Sequence, residues 1–267
     1  MRTFSLLLSF ALCSVCLGAE QEPASKPQGK EPTYDGKTLG EWIALTKDKD
    51  EELRRAAAEA LGKIGPEAKA AVPVLTELFK DKDEWVQEAA AEAVGNIGPE
   101  AKTAIPSLTE LLKNKDHYVR GAAAWALGNI GPEARTTTPS LTELFKDKNS
   151  TVRLFAAEAV GKIGPKAKAA IPGLMELLND KDEFVRCAAA LAAWQISSEA
   201  RPAVSILTKL LKHEKIQVRC DAAEALGQIG PDARISIPAL TELLKDMDEY
   251  VRKAAAEALE KIKKEKK

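Results

Sequence analysis

Residues 83–115 return along the chain at a fixed interval of 33 residues, with no insertion between copies. A landmark arginine stands at Arg54, Arg120, Arg153, Arg186, Arg219 and Arg252, with Gln87 filling the second slot. One proline falls at Pro66, Pro99, Pro132, Pro165 and Pro231, and another at Pro73, Pro106, Pro139, Pro172 and Pro238. A period in this range makes each copy one supersecondary unit, too small to hide its own apolar face. The copies must therefore stack in a row, and stability is shared between neighbours rather than held in one core.

Two helices are readable in each copy. Val86, Ala89, Ala90, Ala93, Val94 and Ile97 recur with the 3.6-residue spacing of an amphipathic stripe. Gly98-Pro99 then ends the helix, because glycine accepts a left-handed cap and proline cannot continue the hydrogen-bond ladder. Pro106 opens a second helix, where its missing amide costs nothing, and Ile105, Leu108, Leu111 and Leu112 form the buried side. At the front, Thr38-Leu39-Gly40-Glu41 has the form of a capping box. Trp42 and Leu45 then take the slots of Leu75 and Leu78, so residues 38–49 read as a lone second helix covering the open end. Six repeats follow over residues 50–247, and residues 248–267 read as a closing helix with a basic, solvated tail.

The pattern Asp-x-x-Val-Arg-x-Ala-Ala-x-Ala-Leu-Gly-x-Ile-Gly-Pro resembles the short HEAT repeats first named for phycobilin lyase subunits, over residues 38–263. Ankyrin repeats share the period, but their Thr-Pro-Leu-His signature is absent. The resemblance implies an all-α fold, a right-handed α-α superhelical solenoid of HEAT-like repeats. It also implies that first helices lie outside and second helices line a groove.

Arg2, the apolar run Phe4 to Leu12 and the small-residue site Leu17-Gly18-Ala19 form the pattern of a cleavable secretory signal over residues 1–19. A secreted or periplasmic location is therefore expected. The run is shorter than the roughly 20 residues a spanning helix needs, so no membrane span is expected after cleavage. Residues 20–37, polar and rich in Pro and Gly, read as a flexible linker. A formal net charge of −1, with both signs in every repeat, lacks the basic stripe that nucleic acid requires.

Cys13 and Cys16 fall within the signal, whereas Cys187 and Cys220 occupy one slot in successive repeats. Stacked helices lie about 8–10 Å apart and a disulfide needs Cα atoms within about 7 Å, so bridging them requires distortion.

Three features invite a functional reading. The arginine ladder follows the buried valine of each first helix, near Asp81, Asp83, Asp147, Asp180, Asp182 and Asp246. A guanidinium there reaches carboxylates and ties one repeat to the next; a row of anion sites is the competing reading. Thr76, Thr109, Thr142, Thr208 and Thr241, beside Glu77, Glu110, Glu143, Glu176 and Glu242, suggest either a hydroxyl-lined acidic groove or a solvated helix face. The third feature is irregularity.

One outward slot of the first helices holds Trp85, Tyr118, Phe184 and Tyr250, and the slot seven residues on holds Trp125 and Leu191 among glutamates. In the fifth repeat Phe184, Cys187, Leu191 and Trp194 make an apolar stripe, flanked by Leu154 and Cys220 in the Cys187 slot. Trp194 replaces the usual Gly, Ser197-Ser198 replace Gly-Pro, and Ser205 replaces Pro. Exposed apolar and aromatic surface commonly marks a contact site. Trp85, Tyr118, Trp125, Leu154, Phe184, Cys187, Leu191 and Trp194 are the candidate surface for a protein or peptide partner or a second copy of the chain. The alternative is that Trp194 and Leu191 fill the gap left by the missing turn, with the other aromatics lying over neighbouring helix ends.

Catalysis has little to stand on. Only His117 and His213 are present, and no Gly-rich phosphate loop, His-Glu-x-x-His or Gly-x-Ser-x-Gly occurs. Deoxyhypusine hydroxylase, a HEAT-type oxidoreductase, binds two irons through repeated His-Glu pairs, but here His213-Glu214 is the one pair. No catalytic residue, metal or cofactor is implied. The expectation is an exported, non-catalytic interaction scaffold, with a lyase-like or hydroxylase-like HEAT enzyme as the alternative.

Overall fold

The computed structural model describes residues 31–197 and 200–264. The expected signal over 1–19, the linker up to residue 30 and the tail residues 265–267 lie outside the described residues.

The unit that carries the array includes residues from Pro32 onward. Thr33–Tyr34 (β1) and Lys37–Thr38 (β2) pair antiparallel around Asp35-Gly36, both at positive φ. This hairpin is held on Leu39–Leu45 (α1) by a bond from Leu39 N to Pro32 O and one from Trp42 Nε1 to Tyr34 O, 2.9 Å long. The capping box forms at the same place: Glu41 N donates to Thr38 Oγ1 and Thr38 N to Glu41 Oε2.

From there helices alternate. The first helices are Glu51–Ile64 (α2), Glu84–Ile97 (α4), His117–Ile130 (α6), Ser150–Ile163 (α8), Glu183–Ser197 (α10), Ile216–Ile229 (α12) and Glu249–Lys263 (α14). The second helices that follow them are Val72–Leu78 (α3), Ile105–Leu111 (α5), Thr138–Glu143 (α7), Ile171–Leu177 (α9), Ala200–Leu210 (α11) and Ile237–Leu243 (α13). Asp83, Asp116, Asn149, Asp182 and Asp248 cap first helices by accepting backbone amides two and three residues on. At the other end Gly65, Gly98, Gly131, Gly164 and Gly230 turn the chain at φ of 68–78°, a conformation costly for any residue with a Cβ. The connection is not a loose turn: it is a seven-residue 3-10 helix, Gly98–Ala104 in the second repeat.

The core is one strip running the length of the array. Ala57, Ala90, Ala123, Ala156, Ala189, Ala222 and Ala255 in the first helices, and Leu75, Leu108, Leu141, Leu174, Leu207 and Leu240 in the second, are all 0% exposed. Extensive packing runs between successive units, first helix on first helix and each second helix on the next first helix. This nearest-neighbour pattern is the all-α solenoid expected from the period. Close approach depends on glycine. A Cβ on Gly62, Gly95, Gly128, Gly161 or Gly227 would lie 2.8–3.0 Å from the Cα of Ala93, Ala126, Ala159, Ala192 or Ala258 in the next repeat.

The fifth repeat breaks the rule. Its glycine slot holds Trp194, the described residues at the connector's positions, 197 and 200–203, belong to α10 and α11, and the packing of α10 on α12 is far sparser than at any other first-helix junction. An indole cannot occupy a space that elsewhere excludes a methyl group, so the two helices stand apart.

Candidate interaction surface

The arginine ladder resolves into a repeated tie. Arg54 Nε and Nη2 donate to both carboxylate oxygens of Asp81 at 2.6 and 2.8 Å. Arg120 does the same with Asp147 at 2.8 and 3.0 Å, Arg153 with Asp180 at 2.8 and 2.7 Å, and Arg219 with Asp246 at 2.9 and 2.9 Å. Each Nη1 donates to two backbone carbonyls of its own preceding turn, as from Arg54 to Asp48 O and Lys49 O. The sequence suggested a bridge between two carboxylates; the fork instead takes one carboxylate with both arms, the geometry guanidinium planarity favours. Burial raises the Asp180 carboxyl, but the bonds from Arg153 and the Asp182 amide outweigh it and hold the group below its ordinary range. At the second junction both partners become amides, with Asn114 Nδ2 donating to Gln87 Oε1 at 2.7 Å.

Two arginines of the ladder have no carboxylate partner among the described residues. Arg252 lies in the last repeat, and opposite Arg186 the aspartate slot holds His213. His213 Nδ1 accepts from Lys215 N at 3.2 Å, as the aspartates in this slot do from their own turns. Lys215, in the N-cap position of α12, offers no capping acceptor and pairs instead with the buried Glu183.

The threonine hydroxyls do not line an open surface as free donors. Thr76, Thr109, Thr208 and Thr241 donate to the carbonyls of Val72, Ile105, Val204 and Ile237, and Thr142 to that of Pro139.

The candidate partner residues fall on four successive first helices, α4, α6, α8 and α10. Trp85 on α4 is 37% exposed and stacks on Tyr118 of α6, with centroids 6.3 Å apart and planes at 18°. His117 lies against Tyr118 at 4.0 Å. Trp125 is half-buried, its ring occupying the space over Gly95. Cys187 is buried, while Leu154, Phe184, Leu191 and Trp194 rest half-buried on the core, so the apolar area left open is smaller than the sequence suggests. Cys187 and Cys220 are free thiols, both pushed up by burial and by nearby carboxylates, Cys220 to about 11. Thiols so placed are protonated and inert at neutral pH. More exposed apolar groups escaped the sequence reading: Met247 at 99% and Ile235 at 81%. Met247 was legible, since the same slot holds Lys82, Lys115, Lys148 and Lys181.

Buried Glu88 and half-buried Glu92 lie on α4, one of the same first helices. Burial, and then Glu92, Asp116 and Glu59, raise Glu88 to about 7; burial and Glu59 raise Glu92 to about 7 against the opposing charge of Lys63. Among the described residues no group of His, Cys, Asp and Glu is arranged to hold a metal ion, and no helix is long and apolar enough to cross a membrane.

Comparison with known proteins follows the geometry. HEAT repeats match residues 39–128, 86–151, 105–194, 138–215 and 204–267. No curated protein matches the sequence. The chain is similar to the phycocyanin lyase structure of CpcE with CpcF from Nostoc sp., at 26% identity and a TM-score of 0.63, over 92% of this chain and 100% of that one. The YibA protein of Escherichia coli is 25% identical with a TM-score of 0.55, over 85% of this chain and 81% of its own. An archaeal HEAT-like repeats protein from Thermococcus onnurineus, 16% identical with a TM-score of 0.50, shares the fold over 86% of this chain and 98% of its own. The repeat match runs from residue 39 to residue 267, and with it the chain belongs to the HEAT-repeat family.

Proposed function

We infer that this chain is an exported, non-catalytic scaffold that binds a protein partner across several of its repeats. The supporting observation is the likeness along the full length of a phycocyanin lyase chain whose structure is a complex of two proteins, CpcE and CpcF. Ion pairs across four junctions and an amide pair across another stiffen the array there, and a stiff extended face binds by shape rather than through a pocket. Export rests on the pattern of residues 1–19.

Affinity purification of the full-length chain, tagged at its C-terminus and cross-linked in its native host, tests the binding. A partner recovered in fixed stoichiometry is the expected result, and recovery of the bait alone sinks the reading. Export is tested by N-terminal sequencing of the protein from cell fractions: a start at Glu20 outside the cytoplasm is expected, an intact Met1 inside it the opposing result.

The same likeness favours one other reading, that the chain is a lyase subunit. Phycocyanin lyase activity of the purified chain, alone and mixed with CpcF, separates the two.

A further inference from the structure

Each paired arginine in this array supplies a template for how its fork holds a carboxylate. Nη1 is pinned by two carbonyls of the preceding turn, which leaves Nε and Nη2 parallel and aimed at the following repeat. Arg186 has the same pinning, with Nη1 donating to Asp180 O at 2.7 Å and Lys181 O at 3.3 Å. Its Nε and Nη2 have no partner among the described residues, because His213 stands where Asp81, Asp147, Asp180 and Asp246 stand elsewhere. No buried side-chain nitrogen or oxygen among the described residues lacks a partner, so the two arms of this half-buried arginine open to solvent.

The surroundings suit an incoming acid. Lys215, whose ammonium pairs with Glu183 and lies 5.9 Å from the centre of the Phe184 ring, replaces the acidic or amide cap of the other junctions and so removes one negative charge. Exposed Glu214, on the same turn, makes no ion pair with Arg186. This is also the junction at which α10 and α12 stand apart, so an inserted side chain displaces little existing packing.

The geometry points to a docking point at the fifth–sixth repeat junction for a carboxylate of a protein partner, an aspartate, a glutamate or a C-terminus, received by Nε and Nη2 of Arg186. The inference rests on the scaffold reading and names the chemistry by which the partner is held. The partner's carboxylate takes the place that the chain's own aspartate takes at the other junctions, and so completes the ladder on binding.

The test uses the chain without residues 1–19 and carries Arg252→Gln throughout, because Arg252 has the same pinned fork at the end of the array. Hexaglutamate is the probe and thermal unfolding the readout. The midpoint is expected to climb with peptide concentration, and the apparent affinity to weaken by about tenfold or more in Arg186→Gln. His213→Asp places an intrachain carboxylate in the fork, so this variant is expected to melt higher without peptide and to lose the response to it. An equal response in Arg186→Gln, no response in the starting protein, or no stabilisation by His213→Asp each overturns the site. A native partner held equally well by the starting protein and by His213→Asp also overturns it, while leaving the scaffold reading intact. The converse result, the expected hexaglutamate behaviour with no partner captured, supports the site and removes the scaffold.

Discussion

Arg153 and Asp180 are 6% and 10% exposed at their side chains, and each nitrogen of the guanidinium donates to the carboxylate or to one of two carbonyls. Removing one member leaves the other charged and buried, a defect that costs about 3–5 kcal/mol. Arg153→Ala is therefore expected to lower unfolding stability by that amount in urea titration. Arg153→Gln with Asp180→Asn copies the Gln87–Asn114 pair of the second junction and is expected to lose less. A double variant as unstable as Arg153→Ala contradicts the tie as described.

Glu88 and Glu92 work in the opposite sense with pH. Their folded values near 7 lie above the value of about 4.3 for an unfolded glutamate, so the folded chain keeps protons that the unfolded chain releases. Stability contributed by these groups is present below about pH 4.5 and is lost as pH rises toward 7. Asp246, held low by the hydrogen bonds from Arg219, contributes stability that is lost as pH falls through its depressed value, below about pH 4. Calorimetry is thus expected to show greatest stability between about pH 4 and pH 4.5, as an order-of-magnitude placement from these two windows. Glu88→Gln with Glu92→Gln should raise the melting midpoint at pH 8 and leave it nearly unchanged at about pH 4. An equal rise at both values would show that charge and burial are not the cause.

For the helices, glycine is the element-scale device. Alanine in place of a mid-helix glycine ordinarily stabilises by about 1 kcal/mol. At Gly128, however, the added Cβ meets backbone, the Ala159 Cα, at 2.8 Å, and a helix cannot yield there without moving its neighbours. Overpacking of about 1–3 kcal/mol then outweighs propensity, so Gly128→Ala is expected to destabilise in denaturant titration. A stabilised variant would mean that α6 and α8 separate freely. Trp194 is the natural version of this substitution, and the sparse α10–α12 packing is its consequence.

For the molecule as a whole, stability sums over repeats and their nearest-neighbour interfaces, so the weakest interface decides where the row parts. Four losses coincide at the fifth–sixth junction: the glycine at Trp194, the connector at Ser197, the carboxylate at His213 and the helix cap at Lys215. Hydrogen exchange is expected to show α11 and α12 opening at lower free energy than α5 and α6, with protection restored in part by His213→Asp. Uniform protection along the array would rule out a weak junction.

Legibility followed locality. Helix positions, the capping box at Thr38, the proline punctuation and the stacking itself were available from the sequence, because each follows from the chemistry of a few consecutive residues and from the inability of one unit to bury its stripe. The change to amides at Gln87 and Asn114 was visible as well, though only their contact gives it meaning. What the tertiary structure alone decided was everything set by the distance between units. That covers which carboxylate each arginine takes and with how many arms, how much of Leu191 and Trp194 remains open, and how far burial raises Glu88. It also covers what a tryptophan does in a glycine's place. These are properties of two surfaces brought to within about 3 Å, as at Gly128 and Ala159, and residues 31 positions apart acquire such a distance only when the chain has folded.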